Sequence, residues 1–180
     1  PMKSSARMVF ALIACAVTTL AEATAQISDQ IMIDGQTEML FSEPLQPAMR
    51  VDPALQHNLM SRMKGRCTAS WRGYAAAWEI RANELYLVTV QVDPCSGRKE
   101  VPLAELFPGA TGPVKATWFS GTLMIPQGKQ IEYVHMGYES RYERYLFLEI
   151  DKGNVLNSTL TSGPPKSGLP KPARLPSNNE

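Results

Sequence analysis

The chain has 180 residues, 44% of them hydrophobic, with 18 basic and 17 acidic side chains and a formal net charge of +1. That length suits a single domain with one core. A near-neutral chain has no long-range field with which to gather phosphates, so the charge argues against a nucleic-acid partner.

Residues 2–25 read as a cleavable export signal, with Pro1 an extra residue ahead of Met2. Lys3 and Arg7 supply the positive start, Met8–Val17 the apolar stretch, and Ala23-Thr24-Ala25 the cleavage site. The apolar stretch is shorter than the ~20 residues a spanning helix needs, so no transmembrane span is expected after signal removal. An alternative cut uses Leu12-Ile13-Ala14-Cys15 as a lipoprotein box and leaves a lipid anchor at Cys15. Cleavage after Ala25 is preferred, because the apolar stretch is complete without stopping at Cys15. Loss of the leader takes Lys3, Arg7 and Glu22 with it and leaves 16 basic and 16 acidic residues.

Two cysteines then remain, Cys67 and Cys95, in a periplasmic or secreted setting that permits oxidation, and a disulfide between them is expected. It closes a loop of roughly 28 residues and contributes about 3 kcal/mol through the unfolded state. Two buried free thiols are the alternative. No metal site is expected, since neither cysteine has a second Cys or His at ligand spacing and the chain holds just two histidines. Phosphate-binding glycine loops and a G-x-S-x-G elbow are absent from the sequence, and no cofactor is implied.

In chain order, Ile31, Ile33 and then Met39, Phe41 flank Asp34-Gly35, a two-residue hairpin signal, and Pro44 ends the hairpin. A helix is predicted over 53–64. Asp52 caps it, Pro53 suits its first position, Gly65 follows it, and Leu55, Leu59 and Met63 form its apolar stripe, with His57 on the flank. A first central hairpin alternates through Tyr74, Ala76, Trp78 and Ile80, turns at 81–84, and returns with Tyr86, Val88, Val90 and Val92 on one face. The small residues Ala75–Ala77 predict close packing over that strand. Asp93–Gly97 is a dense turn signal.

Glu100–Phe107 predicts a short helical turn. A second central hairpin is predicted to run from Ala116 to Ile125, turn at Pro126-Gln127-Gly128-Lys129, and return over 131–136. Trp118 is placed on a strand buried on both sides. Further strands are expected at 145–150 and 155–156. From about residue 159 the chain becomes Pro-rich and low in large apolar groups, which predicts a disordered tail over 159–180. The fold expected for 26–158 is mainly β: an antiparallel curved meander sheet or small barrel, with one packed helix and a short second helical turn. All three tryptophans and all six tyrosines fall within 71–150.

Several stretches form a combined pattern: D-x-I-x-x-D-G at 29–35, P-L at 44–45, W-R-G-Y-x-A-x-W-E-I at 71–80 and L-Y-L-V at 85–88. It continues with L-F-P at 106–108, A-x-W-F-S-G-T-L-x-I-P-Q-G at 116–128 and Y-V-H-M-G-Y at 133–138. Over about residues 29–156 this resembles a family of small, mostly uncharacterised bacterial proteins. The resemblance implies an exported variant of that scaffold and brings no catalytic residues with it.

Two constellations carry chemistry. His135 with Glu139 or Glu143 makes a weak acid–base candidate, which needs a polarising or nucleophilic partner such as Ser120 or Ser140. The bland alternative is a strand-end histidine beside a solvated loop. The second constellation is Trp71, Arg72, Tyr74, Tyr138, Arg141, Tyr142 and Arg144, the residue types enriched at binding hot spots. Trp78 and Trp118 are expected in the core. The function expected is a non-enzymatic envelope binding module for a protein partner, of the immunity or inhibitor kind. The alternative is a small-ligand-binding protein or hydrolase-like enzyme with a pocket around His135.

Overall fold

The computed structural model describes residues 25–135 and 137–163. The export signal, the Cys15 box, Met136 and the tail from residue 164 lie outside the described residues. Twelve elements follow one another: β1 (Asp29–Ile33), β2 (Gln36–Leu40), α1 (Leu45–Val51), α2 (Pro53–Met60), β3 (Tyr74–Arg81), β4 (Glu84–Val92), β5 (Lys99–Val101), α3 (Leu103–Leu106), β6 (Val114–Lys115), β7 (Gly121–Glu132), β8 (Arg141–Asp151) and β9 (Asn154–Ser162).

The strands form one sheet in the order β2-β1-β3-β4-β9-β8-β7, with β5 and β6 pairing β4 off that path. All pairings are antiparallel except β1 with β3. Three hairpins use two-residue turns: Asp34-Gly35, Ala82-Asn83 and Lys152-Gly153. Both residues of each turn have positive φ, the hand that matches strand twist. The sheet is strongly curved, so its outer strands β2 and β7 come within reach of each other. The Phe41 amide donates to the Met124 carbonyl at 2.8 Å, and the Met124 amide donates to Ser42 Oγ at 2.9 Å. No ladder joins them, and the sheet is therefore not closed into a barrel.

The expected helix is present but shorter, ending at Met60, and Asp52 caps it through the amides of Ala54 and Leu55. A second helix, α1, precedes it. Its Pro47 lies in the first turn, where the missing N–H costs no intrahelical bond. Leu45, Met49, Leu55 and Leu59 from this pair enter the main core, together with Ile31, Trp78, Leu85, Leu87, Leu123 and Ile125. A second, smaller core gathers Phe41, Met124, Tyr142 and Tyr145. Burying each large side chain contributes about 1.5–3 kcal/mol.

Three sequence expectations are corrected. In β4 the buried residues are Leu85 and Leu87, then Val90 and Val92. A register shift opposite Ala77/Trp78 leaves Val88 as the extra residue, and one added residue moves the following side chains to the other face. Strict alternation along β4 therefore fails halfway.

The second correction concerns Pro126–Lys129, which is not a turn. β7 continues through it to Glu132 and pairs with β8, with register shifts at Gln127/Gln130 and Gln130/Glu132. Gly128, at φ +78°, supplies the bulge conformation, and Pro126 is tolerated because β7 lies at the end of the sheet. The return strand is consequently β8 rather than 131–136. Residues 116–120 are not strand, and Trp118 instead stacks on Phe107 at 5.0 Å and donates from Nε1 to the Pro44 carbonyl.

Third, β9 runs to Ser162, past the boundary expected at 158. Residues 159–162, expected to belong to the tail, pair with β8 from Thr159↔Phe147 to Ser162↔Arg144. Cys67 and Cys95 form the expected disulfide. It joins the segment before β3 to the turn after β4.

Candidate functional site

The segment Cys67–Gly73 carries the chain from the helices into β3, and it is tied down on several sides. Ser70 donates its amide to the Cys67 carbonyl, Ile27 donates to the Ala69 carbonyl at 2.7 Å, and Trp71 donates to Gln26 Oε1. Gly73 has φ +76°, and a Cβ there would stand 2.6 Å from Met63 Sδ, so the chain passes tightly under the end of the helical pair. This leaves Trp71 and Arg72, adjacent in sequence, pointing into different worlds.

Arg72 points inward. Its Nη1 donates to Asp29 Oδ1 at 3.0 Å, its Nη2 to the Ile27 carbonyl at 3.0 Å, and its Nε pairs with Glu43 Oε1 at 3.3 Å. The guanidinium also lies 4.9 Å from the centre of the Tyr74 ring. Asp29 is fully buried and accepts from the Ala76 amide at 3.0 Å and from Trp78 Nε1 at 2.9 Å. Tyr138 donates its hydroxyl to Glu43 at 3.2 Å.

Burial pushes the Asp29 carboxyl above its ordinary range, and Arg72, Trp78 and Ala76 pull it back without cancelling the shift. Burial also works against the Arg72 charge, but Asp29, Tyr138, Tyr74 and Glu43 together outweigh it, and the guanidinium is held more firmly protonated than in water. The Tyr74 and Tyr138 hydroxyls are both pushed up, chiefly by burial. With Nε and both terminal nitrogens engaged within the chain, Arg72 is a structural cation rather than a free fork for a ligand.

Trp71 points outward and is 70% exposed. It borders a hollow of about 260 Å³ whose walls include Met49, Met60 and Met63, with Gln56 and Arg66 at the edge. On the other side of α1 a larger cleft of about 390 Å³ lies where β2 and β7 approach. Phe41, Pro47, Phe119 and Met124 line it, with Glu43 and Arg50 as its charged groups. Gln46 of α1 borders both, and the buried network reaches each of them, through Glu43 in the larger cleft and Arg72 in the smaller hollow.

The seven hot-spot candidates are thus divided. Trp71, Arg141 and Arg144 are exposed; Tyr138 is half-buried; Tyr74 and Tyr142 are buried, and so is the Arg72 side chain. Tyr142 packs edge-on against Phe41 at 5.7 Å, and Tyr138 stacks on the same ring at 5.2 Å. Arg141 pairs with Glu132 on the surface. These residues do not make one patch.

The acid–base candidates do not converge either. His135 is exposed and meets Tyr133 edge-on at 4.6 Å. The Glu143 carboxylate accepts from the Lys129 amide at the β7 bulge. Ser140 hydrogen-bonds Val134 through both its donor and its acceptor, and Ser120 bridges Asp151 and the Lys152 amide.

Sequence reading missed Asp29 and Glu43, which are central here. Asp29 is the first residue of the pattern at 29–35, in the same pattern as Arg72 and Trp78, and that coincidence was the available signal. Nothing local marks Glu43, because its partners come from positions far along the chain. Compared with protein-family models, curated proteins and solved structures, the chain matches none.

Proposed function

We propose that this chain is a non-enzymatic binding module exported to the bacterial envelope, where it holds a protein partner on the face built around α1. The observation that carries this reading is Trp71. A large aromatic is left 70% exposed beside a methionine-walled hollow, on a segment fixed by a disulfide and by the buried Arg72 next to it. A rigid aromatic anchor binds with little loss of conformational entropy, and soft methionine side chains adapt to what meets them. The Cys67–Cys95 bridge supports an oxidising compartment. Among the described residues no helix is long and apolar enough to cross a membrane. The resemblance over residues 29–156 supports a bacterial source. Within this class, an immunity-type protein or an inhibitor of an envelope enzyme suits a small, rigid, disulfide-linked sheet.

The test is a pull-down from envelope extract with wild type, Trp71→Ala and Met60→Ala. The expected result is a partner retained by wild type and lost or weakened at least ~10-fold by Trp71→Ala, as for a hot spot worth more than 1.4 kcal/mol. Equal recovery of every protein by all three baits would remove this face from the function.

A small-ligand reading is favoured by one observation, the apolar cleft between Phe41 and Met124. Met124→Trp, which fills that cleft, separates the two readings. It leaves a Trp71-dependent partner bound and abolishes a ligand that sits between β2 and β7.

A further inference from the structure

Strand β9 is paired on one side along its length with β8, but on the other side it meets β4 only at Glu84↔Asn154. Beyond Val155, among the described residues, its outer backbone groups face no strand. Leu156 and Leu160 are 68% and 56% exposed there. Leu160 lies opposite Leu146, and Ser158 opposite the buried Leu148, so Leu160 continues the apolar face of the β7–β8 ladder out to an open edge.

Open edges are ordinarily blunted by charge, proline or bulges, because a bare row of N–H and C=O groups templates pairing with another strand. The two end strands of the sheet follow that rule. β2 carries Glu38, and β7 carries Pro126, Lys129 and Glu132 together with two register shifts. β9, with the sequence NVLNSTLTS, has no charged residue and no proline. Its one irregularity, at Glu149/Ile150, precedes the regular stretch 157–162.

We infer that the β9 edge is a homodimer interface, in which a second copy of this chain adds its own β9 antiparallel across a two-fold axis. Self-pairing suits this strand because a neutral strand meets no like charge in its copy, whereas a strand bearing one sign would. Centring the axis on Leu160 uses the regular stretch and keeps clear of β4 at Asn154. Leu160 then faces Leu160 of the second copy, Thr159 faces Thr161, and Ser158 faces Ser162. Hydroxyl pairs of this kind stabilise antiparallel ladders, and the facing leucines take apolar surface out of water. The join makes one continuous sheet from two and uses none of the residues that line the two depressions beside α1, so it is independent of the partner proposed above.

The experiment is sedimentation equilibrium of the purified protein with its disulfide intact, comparing wild type, Leu160→Glu, Leu160→Lys and an equimolar mixture of the two variants, with circular dichroism as a control for folding. Wild type is expected to be dimeric. Each variant, placing like charges face to face on the axis, is expected to sediment as a monomer with an unchanged spectrum. The mixture is expected to recover dimer mass, because glutamate then faces lysine. A monomeric wild type, variants that remain dimeric, or a mixture that stays monomeric would each overturn the proposal. So would a chain that dimerises only when truncated after Gly163, since residues 164–180 would then occupy the edge.

Discussion

Two arginine-and-tyrosine segments, 71–74 and 138–144, look alike in composition and behave in opposite ways. In the first, Arg72 is enclosed by Asp29, Glu43 and Tyr74, and its neighbour Trp71 is the exposed residue. In the second, the tyrosines are partly or wholly buried around Phe41, while Arg141 and Arg144 are exposed. The difference teaches that residue type does not assign the role; what the neighbouring strand supplies does. Parallel pairing of β1 with β3 brings Asp29 beside Arg72, so burying that cation is compensated. At the Phe41 cluster Glu43 meets the Tyr138 hydroxyl rather than an arginine, and Arg141 pairs instead with Glu132 at the surface.

Removing one member of the buried pair has the largest expected effect. Arg72→Ala leaves Asp29 ionisable and unpaired in the core, and the loss expected is about 3–5 kcal/mol in urea unfolding. The same experiment on Arg72→Met with Asp29→Asn sharpens the point. The double variant is expected to cost less than the sum of the singles, because no buried charge is then stranded by the loss of its partner across that pair.

Reduction of Cys67–Cys95 comes next, with an expected loss of about 3 kcal/mol, seen as a lower urea midpoint in reductant. Far smaller changes are expected at the exposed positions. Trp71→Ala and Arg141→Ala should each shift stability by under about 0.5 kcal/mol, although the first is expected to weaken partner capture at least ~10-fold. A Trp71→Ala protein that unfolds readily would show the side chain to be structural and would undo the contrast with Arg72.

The smallest effect is a pH dependence at the β4–β6–β9 junction. Lys115 and the Tyr86 hydroxyl, both hydrogen-bonded to Glu84, hold its carboxyl below the ordinary 4.5. A depressed carboxylate stabilises the fold above its unfolded pKa and loses that contribution as pH falls through the folded value. The stability difference between wild type and Glu84→Gln should therefore be present at neutral pH and vanish on acidification below 4.5. A difference that persisted in acid would assign it to packing rather than charge.

Much of the fold was legible locally. Asp34-Gly35 gave the first hairpin, Asp52-Pro53 the helix start, and the even pair of cysteines the disulfide, because each depends on neighbours in sequence or on simple counting. The site was less legible. Trp71 was identified among the binding candidates, but Arg72 was grouped with it, and the acceptors that bury Arg72 lie at Asp29 and Glu43, well upstream. The Gly128 signal was real and its geometry was not: positive φ serves a bulge as well as a turn, and only the presence of β8 alongside decides between them.

Taken alone, the order of residues determined the first hairpin, the start of the helix at Pro53, which cysteines pair, and that indole and aliphatic groups supply the interior. Those outcomes follow from backbone preference and hydrophobic periodicity, which act over a few residues at a time. Tertiary structure decided that the sheet stays open, that Val88 is the residue left over in β4, and which arginine is a buried strut and which is solvated. These depend on which distant strand arrives alongside, because a charge or a backbone edge has no fixed energetic worth until its surroundings, polar or apolar, are in place.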